Sequence, residues 1–252
     1  MTLWIKICGN TSLEDARLAA DVGADAVGFV FAPSPRRVTS EQVAAIVPHL
    51  PPTLEKIGVF VAASFAEIAS TVASCALTGV QLHFDAPPDL PAQLRERFGP
   101  KLRILRVVHF DAKKTAGQSG LVSGHDFSRA ETAAGNERAL APEACFSDPE
   151  IDAILVDSRA ASAPGGTGVA FDWTAASKTL FQDTGARDRL VAAGGLTPEN
   201  VAEAIAMLSP WGVDVVSGVE LAPGRKDPAK VRAFIERARA AEPARSTGKL
   251  GS

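Results

Sequence analysis

Residues 3–31, LWIKICGNTSLEDARLAADVGADAVGFVF, hold one complete strand–helix–strand unit. The run 3–8 is apolar except for Lys6, and the run 26–31 carries no charge. Between them, Ser12 stands where a helix cap belongs. Glu14 and Asp15 occupy the first turn, where carboxylates suit the positive end of the helix dipole, and Gly23 closes the helix. Strands that read as near-continuous apolar runs are covered on both faces, as in a parallel sheet.

The same unit repeats outward from this stretch. Further strands are predicted at 57–61, 79–83, 102–108, 153–157, 189–193 and 213–216. Helices are predicted at 40–47 with Ser40 as cap, 65–75 with Ser64, 91–98, 172–181 with Asp172, 198–208 with Thr197, and 228–241 with Asp227. Pro48 is expected to stop the second helix. Residues 110–151 break the rhythm and form an enlarged connection, with one helix expected near 128–140. Eight strand–helix units in about 240 residues predict an α/β protein with a single (β/α)8 barrel of the TIM type over 1–242, followed by a frayed tail at 243–252. The competing doubly wound sheet usually opens on a GxGxxG turn, whereas the first strand here ends in Cys-Gly-Asn.

Composition removes several classes of function. With 26 Lys plus Arg against 29 Asp plus Glu, nothing points to nucleic acid. No apolar run reaches the ~18 residues of a membrane span, and the N-terminus lacks the order of a secretory signal. The three cysteines are odd in number and form no CxxC pair, so neither a disulfide framework nor a cysteine metal site is expected. Free thiols suit a reducing, cytoplasmic location. The size allows a monomer or a homodimer.

In such a barrel the chemistry gathers at the C-terminal ends of the strands. The first strand delivers Cys8-Gly9-Asn10, the second Ser34-Pro35-Arg36-Arg37, the fourth Gln81-Leu82-His83. The sixth delivers Asp157-Ser158 and then Gly165–Gly168, the seventh Gly194-Gly195, and the eighth Ser217-Gly218-Val219-Glu220. Glycine turns before helices bare backbone N–H groups to a phosphate, which makes Gly194, Gly195, Ser217 and Gly218 the candidate anion site. A thiolate can take a proton from carbon and a carboxylic acid can donate one, which nominates Cys8 and Asp157. Period-two counting puts Lys6 on the same side as Cys8, and a buried ammonium needs a partner; Asp214 is the expected one. Arg36 can offer a fork to a carboxylate, and His83 can touch substrate or carry a proton. His49, His109, His125, Cys75, Cys145 and Arg37 read as structural or surface residues.

Seven motifs in order resemble the phosphoribosylanthranilate isomerase family: KICGN at 6–10, SPRRV at 34–38, QLH at 81–83, LVDS at 155–158, GGTG at 165–168, AGGL at 193–196 and GVDVVSGVE at 212–220. The resemblance implies an Amadori rearrangement of N-(5-phosphoribosyl)anthranilate in tryptophan biosynthesis, with no metal or organic cofactor. It implies Cys8 as general base, Asp157 as general acid, Arg36 on the anthranilate side and the glycine turns as phosphate cradle. Phe84 in place of a family glycine and Val216 in place of a serine are departures. Two other readings accompany this one: a histidine-pathway or dual-substrate sugar-phosphate isomerase, whose acid and base are aspartates, and a non-catalytic phosphate-binding barrel.

Overall fold

The computed structural model describes residues 2–83, 86–110, 121–122, 146–157, 173–181 and 189–242. Eight parallel strands form the inner wall: β1 (Trp4–Ile7), β2 (Ala26–Val30), β3 (Glu55–Phe60), β4 (Gly79–Leu82), β5 (Arg103–Phe110), β7 (Ala153–Asp157), β8 (Leu190–Ala192) and β9 (Gly212–Val215). Each pairs with the next, β9 pairs with β1, and the ring is thereby closed. The expected barrel is the observed one.

The short strand β6 (Leu121–Val122) pairs antiparallel with the end of β5, His109 opposite Val122. This carries β5 two residues past its predicted end at 108. The predicted helix near 128–140 and the predicted tail at 243–252 lie outside the described residues.

Helices α1 (Leu13–Val22), α2 (Ser40–Ile46), α3 (Phe65–Ser74), α4 (Leu90–Phe98), α5 (Trp173–Thr179), α6 (Val201–Leu208) and α7 (Pro228–Ala240) follow strands around the ring. Their starts follow local hydrogen-bonding chemistry. Ser12 caps α1 by accepting from the Asp15 N–H, and Gly23 ends it at φ 98°. Ser64 and Glu67 form a reciprocal capping box on α3. Asp227 caps α7 through the Ala229 and Lys230 N–H groups.

Two predicted caps are corrected. Helix α2 is capped by Thr39 and not Ser40, because Gln42, three residues on, returns a hydrogen bond to the Thr39 N–H. The third residue after Ser40 is the apolar Val43, which can return none. The α-helix ends at Ile46, ahead of Pro48 as expected, and a single 3-10 turn, Val47–His49, follows. Helix α6 begins at Val201, not Pro198, because Asn200 Oδ1 takes the Thr197 N–H and Thr197 Oγ1 takes the Glu199 N–H, holding 197–200 as a turn. Asp172 lies outside the described residues.

The alternation of each strand makes two cores. Trp4, Ile57, Leu105, Leu155 and Val191 face the axis, and Trp4 stacks on Trp211 with ring centroids 5.1 Å apart. Ile5, Ile7, Phe29, Leu82 and Phe234 belong to the layer between strands and helices. Burying each such side chain stabilises the fold by about 1.5–3 kcal/mol. The inner apolar layers form a floor, and above them the inward positions turn polar.

Candidate active site

Lys6 and Cys8 lie on the inner side of the ring, as period-two counting predicts. Both reach over Gly28 on β2: a Cβ there would overlap Cys8 Sγ and stand 3.0 Å from Lys6 Cε. Lys6 Nζ donates to Gln81 Oε1 at 2.6 Å and to Asp214 Oδ1 at 3.0 Å, and Lys6 and Asp214 are register partners. The expected ion pair is therefore formed, with Gln81 as a third member. Burial drags the Lys6 ammonium toward the neutral form, but Asp214 and Cys8 outweigh it and hold the proton on more firmly than usual.

Cys8 is 3% exposed. A thiol base calls for a lowered pKa. Here burial pushes the thiol up, and the opposing pull of Lys6 and Lys226 does not cancel it.

Asp157 is the last residue of β7 and is half-buried. Its charge is felt by Asp214. Register explains this: Val156 pairs with Ala192, which pairs with Val213, so one residue further on Asp157 stands level with Asp214 and Lys6. Along the wall, Cys8 and Asp157 are separated by β9 and β8. Three interstrand steps amount to roughly 14 Å. Both project toward the mouth from opposite ends of that arc.

The two glycine turns fill the same arc. Gly194 and Gly195 both adopt positive φ, 81° and 66°. Ser217 opens a 3-10 turn, Ser217–Val219. A Cβ on Gly218 would collide with the Leu196 carbonyl oxygen, so the loops after β8 and β9 touch. Successive backbone N–H groups in such turns form a concavity suited to an anion. Ser158 and Gly165–Gly168 lie outside the described residues.

Arg36 does present a fork, and within the chain it grips Glu220: Nε to Oε1 at 2.8 Å and Nη2 to Oε2 at 2.6 Å. The guanidinium stem lies across Gly9, where a Cβ would stand 2.8 Å from Arg36 Cδ and where φ is +74°. Arg36 thus borders the Cys8 loop. Burial raises the Glu220 carboxyl, but Arg36 and Lys226 outweigh it and hold the group below the usual carboxylate range. His83 is half-buried just past β4. Arg37 is exposed, and Cys75 is buried with its thiol on the Ser40 carbonyl at 3.3 Å. Sequence reasoning assigned no role to Gln81 or Glu220 and passed over Lys226. Nothing in periodicity marks Lys226, which follows a glycine turn rather than a strand or helix pattern.

Among the described residues, no helix is long and apolar enough to cross a membrane. The family model for N-(5'-phosphoribosyl)anthranilate isomerase matches residues 5–123 and 134–237. The chain is 41% identical over 232 residues to the N-(5'-phosphoribosyl)anthranilate isomerase of Pelobacter propionicus, covering 92% of this chain and 93% of that one. It is 39% identical over 235 residues to the enzyme of that name from Pseudomonas fluorescens, covering 93% and 97%. Among solved structures it resembles phosphoribosyl anthranilate isomerase from Thermotoga maritima, with TM-score 0.73, 33% identity and coverage of 95% and 100%. It also resembles a phosphoribosyl anthranilate isomerase in complex with reduced 1-(o-carboxyphenylamino)-1-deoxyribulose 5-phosphate, with TM-score 0.69, 33% identity and the same coverage.

Proposed function

The chain belongs to the N-(5'-phosphoribosyl)anthranilate isomerase family and is an isomerase of tryptophan biosynthesis, and we propose that Cys8 and Asp157 carry its two proton transfers. The reaction converts an aminoaldose into an aminoketose, so it moves protons and needs no external oxidant. Asp157 acts as general acid: it protonates the ribose ring oxygen, and the ring opens to a protonated Schiff base on the anthranilate nitrogen. Cys8 acts as general base: its thiolate takes the C2′ proton, and the electron pair flows to that nitrogen to give an enolamine. Tautomerisation yields the ketone, 1-(2-carboxyphenylamino)-1-deoxyribulose 5-phosphate.

Lys6 contributes by facing the thiolate with a cation locked by Asp214 and Gln81. Arg36 faces the anthranilate carboxylate through Nη1, the edge that Glu220 leaves open. The phosphate lies on Gly194, Gly195, Ser217 and Gly218, and His83 contacts the substrate from just past β4. We place the enzyme in the cytoplasm, a reading that free Cys8 and Cys75 support.

The observation that carries this reading is the inward pair Cys8 and Asp157 on one arc of the rim, with two touching glycine turns between them. The test generates phosphoribosylanthranilate in situ, adds the protein in catalytic amounts without metal, and follows the substrate's fluorescence. Fast loss with the parent, slowed ~100-fold or more by Asp157→Ala, is expected for a positioned acid. No loss with a folded parent would overturn the function, and full loss with Asp157→Ala would overturn the acid.

A further inference from the structure

Lys226 is a second buried cation at the mouth, on the strand β11 (Arg225–Lys226) that pairs with β10 (Glu220–Ala222). It is 2% exposed. Its Nζ donates to the Cys8 carbonyl at 2.5 Å, to the Val216 carbonyl at 3.3 Å and to Glu220 Oε1 at 3.3 Å. An ammonium has three donors, and these three acceptors match them. Each acceptor belongs to a different working part. Cys8 carries the thiol. Val216 immediately precedes the Ser217–Gly218 turn. Glu220 grips both Nε and Nη2 of Arg36.

The surroundings hold the lysine in place. Its own N–H donates to Asp15 Oδ2 at 3.2 Å. Gly224, at φ 82°, makes the hairpin turn, and its carbonyl accepts from Thr11 Oγ1 at 2.6 Å. Burying an ammonium is costly unless every donor is used, and here the acceptors are the backbone and side chain that the chemistry needs fixed.

We propose that Lys226 is a positioning residue for the isomerisation, fixing the thiol, the phosphate turn and the Arg36 guanidinium relative to one another. This rests on the roles given above to Cys8, Arg36 and Ser217–Gly218. The charges facing Cys8 are Lys6 from its own strand, Asp214 from β9, Arg36 from the loop after β2, and Lys226 from β11. Removing Lys226 therefore also removes one cation that favours the thiolate.

The test compares Lys226→Met with the parent, with Cys8→Ala and with Lys56→Met. Lys56 is also buried, but its Nζ donates to the Pro51 carbonyl at 2.9 Å, among residues that carry no assigned role. Three quantities are measured: kcat and KM, melting temperature, and the pH titration of the Cys8 thiolate by ultraviolet absorbance. The thiolate signal is taken against matched Cys8→Ala variants. Lys226→Met is expected to lower kcat/KM by about 100-fold, the scale of a 1 Å misplacement, and to move the thiol titration to higher pH. Lys56→Met is expected to lower the melting temperature alone. A folded Lys226→Met with kcat/KM within a few-fold of the parent and an unmoved titration would overturn the proposal.

Should Lys226→Met fail to fold, Lys226→Gln decides. It keeps a polar end toward the Cys8 and Val216 carbonyls but cannot serve three acceptors with three donors, so kcat/KM should still fall well beyond a few-fold; kcat/KM within a few-fold of the parent would overturn the proposal. Activity retained by Cys8→Ala would sink the assignment of the base instead, which keeps the two failures distinct.

Discussion

Cys8 is governed by opposing forces of known origin. Burial disfavours its thiolate, while Lys6 and Lys226 favour it, and burial wins in the free protein. The sign for activity follows. The base works only as thiolate, and its pKa lies above the ordinary value, so the active fraction grows with pH through that raised pKa. We expect the Cys8 thiolate signal, the ultraviolet absorbance of the parent against Cys8→Ala, to be still growing past pH ~8.5, where an ordinary thiol is half ionised. A signal already complete at neutral pH would show the thiol to be depressed instead. Lys6 makes a second prediction at this scale. Lys6→Met leaves the buried Asp214 carboxylate without its cation, a loss of about 3–5 kcal/mol. Lys6→Met with Asp214→Leu should lose less than the single variant, as measured by denaturant unfolding. Equal or greater loss in the double variant would deny the pair its structural role. Lys6 and Asp214 were legible as partners from the sequence, because a lysine in an apolar strand needs an anion and the ring brings the last barrel strand beside the first. Lys226 was not, because two of its three Nζ partners are backbone carbonyls, which leave no mark in a sequence.

At the scale of elements, the glycine turns after β8 and β9 act as one unit because their backbones touch. Gly218→Ala would drive a Cβ into the Leu196 carbonyl. We expect it to lose about 1–3 kcal/mol of stability, the usual cost of overpacking. We expect it also to weaken binding of a phosphate-bearing product analogue, read by titration calorimetry. Unchanged affinity in the folded variant would remove this turn from the phosphate site. The capping chemistry shows where reading element by element runs out. Ser64 and Asp227 were legible because neither has another good cap beside it, and Ser12 because it stands last before the apolar Leu13 and the acidic first turn. The start of α2 was misread because Thr39 and Ser40 both qualify, and the choice falls to a side chain three residues later. The start of α6 was misread because Asn200 and Thr197 hold each other in a turn that delays the helix.

For the whole molecule, the alternation of apolar strands and capped helices was enough to predict the barrel, since eight such units leave few closed arrangements. The seam is also held from outside the sheet. Leu3 N–H donates to Glu242 Oε1 at 2.9 Å, and Arg239 pairs with Asp25 at 2.7 Å, which ties α7 to the first strand–helix unit. The inward arc from β1 to β7 then brings together residues far apart in sequence: a thiol, a carboxylic acid and two glycine turns. Arg36 shows the limit of such foresight. Its fork was expected, but its grip on Glu220 depends on a hairpin that follows the last strand and breaks the repeat. The most direct measurement of the whole account is turnover of phosphoribosylanthranilate by Cys8→Ala beside the parent, with affinity for reduced 1-(o-carboxyphenylamino)-1-deoxyribulose 5-phosphate measured on the same preparations. The account predicts turnover lower by ~100-fold or more at nearly unchanged affinity. Turnover within a few-fold of the parent would contradict it.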